Sequence, residues 1–267
     1  MQAVNDVTGF LDRLAPPQLA ESWDNVGLLV GDAAANVDRV MTCLTITQAT
    51  VAEAIDRGAQ LIVTHHPLPF RPLKQLTRDT PEGRYLLDLI AAGVAIYSAH
   101  TAFDSAAMGI NRRLAEGLGL ANVTPLVPSE AGGDGDESLG SGRLGELTPP
   151  VTLAELLARA KAFLDIDKLQ YVGTDARELS RVAVACGSAG EFITAARDAG
   201  CQCLVLGETR FHTCLEAEAT DMSLVLLGHF ASERFAMNAL AETLAAEFSD
   251  LTVWASETER DPIEWSL

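Results

Sequence analysis

Two stretches of this chain repeat each other in order, and the repetition narrows the folds open to it. Ala54-Ile-Asp-Arg-Gly58-Ala-Gln60-Leu-Ile-Val63 aligns with Ala196-Arg-Asp-Ala-Gly200-Cys-Gln202-Cys-Leu-Val205 at an offset of 142 residues, which also relates Arg39-Val40 to Arg181-Val182. Farther on, Ile96-Tyr-Ser-Ala-His100-Thr-Ala-Phe-Asp104 aligns with Val225-Leu-Leu-Gly-His229-Phe-Ala-Ser-Glu233 at an offset of 129. The difference falls in the loop after Val63, which holds Pro67, Pro69 and Pro72. An internal repeat of this length is the mark of duplicated supersecondary units.

Strand and helix signals alternate, which points to a layered α/β fold. Val40–Ile46, Leu61–Val63 and Val94–Ser98 read as strands, and the wholly apolar Leu61–Val63 as one buried on both faces. Gln48–Arg57, ended by Gly58, reads as a helix, as do Pro81–Ala92, Gly109–Leu118 and Thr152–Leu164. Thr152 and Glu155 have the spacing of a capping box. Residues 129–142 are rich in glycine, serine and acids and have nothing to bury. The expected organisation is two related α/β lobes, 1–128 and 143–267, joined by that acidic Gly/Ser loop and forming one compact unit.

With 48% hydrophobic residues in 267, the chain can build a core without disulfides. No long apolar run predicts a membrane span, and Met1–Asp12 carries no secretory signature, so a cytoplasmic protein is expected. Of Cys43, Cys186, Cys201, Cys203 and Cys214, four lie in or beside apolar runs, and buried thiols in a reducing compartment are the expected reading. The net charge is -18, and Lys74, Lys161 and Lys168 are the only lysines. No basic cluster is present, which argues against nucleic-acid binding.

The chemistry lies in the histidines. His65, His66, His100 and His229 all fall at the C-terminal ends of expected strands, the edge where parallel α/β sheets place ligands. His100 and Asp104 are four residues apart, as are His229 and Glu233, so each pair shares a face if a helix starts there. Imidazoles and carboxylates so placed suit divalent transition metals. Four imidazoles and two carboxylates exceed the needs of one tetrahedral ion and suit a pair with positions left for water. Any one of these histidines alone is better read as an ordinary core or surface residue; the ordered set favours metal.

Other segments leave their readings open. Glu208 aligns with His66, and His212 follows four residues later; the two can back the metal, face a substrate as proton shuttle, or simply start a helix. Trp23-Asp24-Asn25-Val26-Gly27 reads as a tight turn pinned by a buried tryptophan. Gly187-Ser188-Ala189-Gly190 can be an anion-holding turn or a plain strand–helix connection. Arg71, Lys74 and Arg78 are the cations nearest the double histidine, on a loop that reads as solvated.

Trp23-Asp-Asn-x-Gly-Leu-x-x-Gly31, Thr64-His-His-Pro67, His100-Thr-x-x-Asp104, Gly142-Arg-Leu-Gly145, Gly207-Glu208 and Gly228-His-x-x-Ser-Glu233 occur in an order that resembles the Nif-three-like family, whose usual label is GTP cyclohydrolase 1 type 2 homolog. The resemblance covers almost the whole chain and looks like the short form, without an extra domain inserted near residues 129–142. It implies two α/β lobes with a dinuclear metal cleft between them, lined by His65, His66, His100, Asp104, His229 and Glu233. Two divalent ions are implied, with zinc, iron, manganese and nickel all suited to the donors. A ring-shaped homohexamer is implied as well. Two positions depart from the family pattern: Thr45 and Arg112 stand where aspartate is common. Two functions follow as expectations: a metal-dependent hydrolase of a nucleotide-like substrate, or a non-catalytic protein of metal storage, delivery or scaffolding.

Dense negative charge repels itself in the folded state, and salt screens that repulsion. The folded protein is therefore expected to gain stability with added salt. Thermal unfolding across a salt series measures this, and a flat series refutes it.

Overall fold

Short apolar runs bounded by glycine or polar turns form the central strands, and they are buried on both faces because helices cover them. Leu61–Thr64 and Ala95–Ser98 are buried throughout, and Arg39–Cys43 is buried after its first residue. The computed structural model of the chain describes residues 2–129, 138–264 and 266. It divides into two compact units, Met1–Phe103 with Ala236–Leu267, and Asp104–Phe235.

The first unit is built on a five-stranded sheet in the spatial order Thr252–Ala255, Arg39–Cys43, Leu61–Thr64, Ala95–Ser98, Gly27–Val30. Its strands are parallel except Gly27–Val30, which runs antiparallel to Ala95–Ser98. Met41, Ile62, Ile96 and Trp254 pack against Val51 and Ala54 of the helix Gln48–Asp56 and Leu86 and Leu89 of the helix Pro81–Ala91. The second unit holds a six-stranded sheet in the order Gln170–Val172, Ser223–Leu226, Cys203–Glu208, Glu178–Ser188, Arg143–Thr152, Ala121–Thr124. The three strands from 178 to 226 are parallel, and their flanking partners are antiparallel. Alternation divides its core: Val182, Val184, Cys203 and Val205 face the helices Ile110–Gly117 and Leu153–Leu164, whereas Ala183, Ala185, Leu204 and Leu206 face Ile193–Asp198 and Phe211–Ala219. Thr152 caps its helix by accepting from Glu155 N at 3.2 Å.

The repeat read in the sequence is repeated in the backbone. Val40 pairs with Leu61 in one ladder, and Val182 pairs with Cys203 in the other, so the offset of 142 is kept in register. Gln60 Oε1 accepts from Asp38 N and Arg39 N at 3.2 and 2.8 Å; Gln202 Oε1 accepts from Ser180 N and Arg181 N at 3.0 and 2.8 Å. Gly58 and Gly200 end the preceding helices with φ of 65° and 75°, a conformation that favours glycine.

The unit boundaries differ from the expected 1–128 and 143–267. The chain's last strand, Thr252–Ala255, pairs in parallel with Arg39–Cys43, which returns the C-terminal segment to the first sheet. The boundaries also fall inside two continuous helices, His100–Ser105 and His229–Glu247. Most of the loop expected at 129–142 lies outside the described residues. Its ends do not match a structureless linker, because Val127–Pro128 pairs with Gly140–Ser141. Among the described residues, no helix is long and apolar enough to cross a membrane.

Glu53 fastens the returning segment. Its carboxylate accepts from Trp254 Nε1 at 3.0 Å, Ser256 Oγ at 2.6 Å, Thr258 Oγ1 at 2.8 Å, the amides of Glu257 and Thr258 at 3.1 Å, and Arg57 at 3.1 Å. Burial alone would raise this carboxyl, but the donors outweigh it and hold the group at about 2. Its folded value lies below the unfolded one, so its contribution to stability is present above about pH 4.5 and is lost as pH falls toward 2. Glu53→Gln is expected to cost about 2 kcal/mol at pH 7, the scale of hydrogen bonds to a buried charge. Urea unfolding at pH 7 and pH 3 tests this, with the difference from the native chain shrinking at the lower pH.

Candidate metal centre

Sequence periodicity turns adjacent residues of a strand to opposite faces, so His65 and His66 need a departure from strand geometry to act together. The strand Leu61–Thr64 stops just before them, but its ladder continues: His65 N donates to Cys43 O at 3.0 Å and His66 N to Leu44 O at 2.8 Å. Ser98 Oγ donates to His65 O at 2.6 Å. Pinned this way, the buried His65 and the half-buried His66 bring their rings to 5.1 Å, and His100 stands 5.1 and 5.7 Å from them. A donor nitrogen from each of the three lies within 4.8 Å of the others.

His100 opens the helix His100–Ser105 with a φ of 31°, a left-handed conformation that costs a non-glycine residue roughly 1–3 kcal/mol. Asp24 holds it there. The Asp24 carboxylate faces His100 Nδ1 at 2.7 Å and accepts from Thr101 N at 3.1 Å and Thr101 Oγ1 at 2.5 Å. Burial would raise the Asp24 carboxyl, but hydrogen bonds from His100 and Thr101 and the charge of His100 bring it down to about 2. This gives the Trp23–Gly27 turn a role that spacing did not reveal. Trp23 itself is not the buried anchor expected: it is 59% exposed, with its ring 6.0 Å from Phe70 and 6.1 Å from His100. The turn is tied down by Asn25, which donates to Pro69 O at 2.7 Å. Thr45, one of the departures from the family pattern, sets its hydroxyl 2.7 Å from His66 Nδ1.

The second unit carries the acids. His229 and Glu233 lie one turn apart on the helix His229–Glu247, with Nε2 and Oε2 3.2 Å apart. Glu208, at the end of the strand Cys203–Glu208, faces His229 Nδ1 at 3.0 Å. The hydrogen bond to buried Glu233 is the largest influence on this imidazole; burial opposes it, and with Glu208 the acids raise it to about 9. Gly187 does not form an anion cradle. A Cβ there would collide with Glu233 Oε1 and come within 3.6 Å of His229 Nε2, and its φ of 66° also favours glycine. Asp104 accepts from Cys186 Sγ at 3.2 Å, and Asn111 links the two by donating to Asp104 O and accepting from Cys186 N. Burial first, then the charges of Asp104 and Glu233, push the Cys186 thiol well above its usual range, so it stays a neutral donor.

Arg143, of the Gly142-Arg-Leu-Gly145 motif, is fully buried and donates to the carbonyls of Ser105, Ala106, Gly140 and Gly142. It thereby caps the C-terminus of the helix segment that bears Asp104. The other expected candidates stand apart. His212 is exposed and lies against Phe211, and no bond joins it to Glu208 among the described residues. Arg112 bonds Glu116 and Val123 O. Arg78 pairs with Asp88 at 2.7 Å.

The donor chemistry fits divalent metal ions. His66, His100 and His229 each present Nδ1 to a partner of the same unit, Thr45, Asp24 or Glu208, and His229 turns its Nε2 to Glu233 Oε2. A hydrogen bond at one ring nitrogen that fixes the tautomer and aims the other is the usual support of a metal-binding imidazole. Asp24 and Glu208 are the residues that the sequence left unassigned or ambiguous.

Known proteins resemble this chain along nearly its whole length. A Clostridium perfringens protein described as GTP cyclohydrolase 1 type 2 homolog is 33% identical over 263 residues, covering 98% of this chain and 99% of its own. A Schizosaccharomyces pombe protein described as NIF3 homolog is 35% identical over 269 residues, covering 95% and 94%. The crystal structure of Staphylococcus aureus protein SA1388 superposes with a TM-score of 0.90 at 26% identity, covering 99% of each chain. The family model of Duf34/NIF3 (NGG1p interacting factor 3) matches residues 2–262, and the motifs, the fold and this match agree that the chain belongs to that family.

Proposed function

We propose that this protein is a metal-dependent hydrolase of a nucleotide-like substrate, similar in activity to what the GTP cyclohydrolase 1 type 2 label of its relatives names. His65, His66, His100, Asp104, His229 and Glu233 would together hold two divalent ions in one dinuclear centre, with zinc, iron, manganese and nickel all suited to the donors. The observation that supports the reading is the clustering of His65, His66 and His100, whose donor nitrogens lie within 4.8 Å of one another, together with the support that Thr45, Asp24 and Glu208 give three imidazoles at Nδ1. Ions held there would supply Lewis acidity, which lowers the pKa of a coordinated water and polarises a bond to be hydrolysed.

The protein's own groups do the rest. Asp24, held at about 2, stays a carboxylate at working pH and keeps the His100 proton on Nδ1. Glu208 faces His229 Nδ1 in the same way, and its half-exposed carboxylate is placed to act as a proton shuttle between the site and solvent. The neutral Cys186 thiol offers Asp104 a weak hydrogen bond without adding charge. A ring of six copies, implied by the family resemblance, belongs to the same proposal.

Elemental analysis of the natively expressed protein is expected to find about two divalent ions per chain, the number the six donors suit. With that metal restored, a nucleotide-hydrolysis screen is expected to find turnover. His66→Ala and Glu233→Ala should each cut it by more than the roughly 10–100-fold that follows loss of a residue behind a ligand. Metal that exchanges freely, with no turnover on any nucleotide, would instead support storage or delivery.

The charge state of His229 gives a pH signature. Its imidazole holds its proton up to about pH 9 without metal and must release it to ligate through Nε2. Metal affinity is expected to rise with pH up to about 9, with close to one proton released at His229 near pH 7. Calorimetric titration in buffers of different ionisation enthalpy counts that proton, and an affinity independent of pH contradicts it.

A further inference from the structure

The C-terminal segment passes beside the metal-ligand candidates of the first unit. After the strand Thr252–Ala255, Ser256 N donates to Thr42 O at 2.8 Å, and Glu53 holds Ser256, Glu257 and Thr258 through both carboxylate oxygens. The next residue, Glu259, spans 214 residues of sequence to reach the turn after Arg39–Cys43. Its Oε2 accepts from Leu44 N at 2.9 Å and its Oε1 from Thr45 N at 2.6 Å.

Both residues gripped by Glu259 act on the double histidine. Leu44 O accepts from His66 N at 2.8 Å and from Thr64 Oγ1 at 3.2 Å. Thr45 Oγ1 faces His66 Nδ1 at 2.7 Å. The two amides would otherwise lack an acceptor at the end of a strand, and a carboxylate is a strong one. A threonine hydroxyl is a weaker and more mobile acceptor for an imidazole N–H than a carboxylate, so its backbone must be held in place for it to aim the ring.

We infer that Ser256–Glu259 is a strap that makes the C-terminal segment part of the metal centre, with Glu259 a positioning residue that fixes the Leu44–Thr45 turn and thereby sets the tautomer and aim of His66. The inference concerns His66 as the proposed metal ligand and so rests on that reading, but the tautomer can be observed without metal. Glu53 anchors the strap and Glu259 transmits it; neither is assigned any contact with a substrate.

The test is side-chain 15N NMR of the five histidines in the full chain without metal, paired with zinc affinity measured by competition with a chromophoric chelator. The native protein is expected to hold the His66 proton on Nδ1. Glu259→Ala and Thr45→Val are each expected to shift His66 toward a mixed tautomer and to weaken zinc binding roughly 10-fold, the lower end for loss of a residue behind a ligand. Thr45→Ser, which keeps the hydroxyl, should retain both native properties. The double variant should lose less than the sum of the two single losses, because Glu259 acts in part through the Thr45 contact. If Glu259→Ala melts early, Glu259→Gln, which keeps one oxygen acceptor, is measured in its place. A folded Glu259 variant with the native His66 tautomer and native zinc affinity overturns the strap. A native chain that binds no zinc but changes tautomer in the variants keeps the strap's hold on His66 and removes the metal reading.

Discussion

In each unit the proposed ligands depend on backbone ladders that run past the ends of their strands. In the first unit the hydrogen bonds from His65 and His66 to Cys43 O and Leu44 O continue the pairing of Arg39–Cys43 with Leu61–Thr64. In the second, Leu227 N and Gly228 N donate to Leu206 O and Gly207 O at 2.9 Å, which carries that sheet to the threshold of His229. A side chain placed by such a ladder inherits the stiffness of the sheet, and a metal ligand needs that stiffness because its geometry tolerates little error. Removing one of these amides would displace a ring without touching any donor atom.

Charge is arranged differently in the two units. The first gathers three imidazoles and supports them with Asp24 and with the neutral Thr45. The second gathers Asp104, Glu208 and Glu233 around a single imidazole and a neutral thiol. An imidazole raised to about 9 is how such an acid-rich site meets its need for positive charge without a metal. Gly187 completes that arrangement by absence of a side chain, since any Cβ there would press on Glu233.

The histidines and acids proposed as ligands were legible in the sequence because the repeat marks equivalent strand ends and a four-residue spacing marks a helical face. The residues behind them were not. Asp24 lies 76 residues from His100, and Glu259 lies 214 from Thr45. Contacts of that span leave no periodic trace, and an aspartate in a turn looks like any other turn aspartate. Cys186 was read correctly as buried, but nothing in an apolar run reveals that its thiol faces Asp104. The return of the C-terminal segment to the first sheet is hidden for a related reason: Thr252–Ala255 carries no signal that it pairs with the strand at 39–43 rather than with its sequence neighbours.

The repeat also shows where the two halves have parted. Ile62 pairs with Ile96 in the first sheet and Leu204 with Leu224 in the second, which relates the third strands by 128 residues, whereas His100 and His229 are related by 129. The second half therefore has one residue more between strand and histidine, and Gly228, with a φ of 88°, stands directly before His229. The first half has no glycine there, and His100 itself takes the left-handed turn at φ 31° under the hold of Asp24. The same change of direction is made by a glycine in one half and by a strained, hydrogen-bonded ligand in the other. A turn that needs a carboxylate to hold it couples the aim of His100 to Asp24, and it places a strained histidine within the three-imidazole cluster.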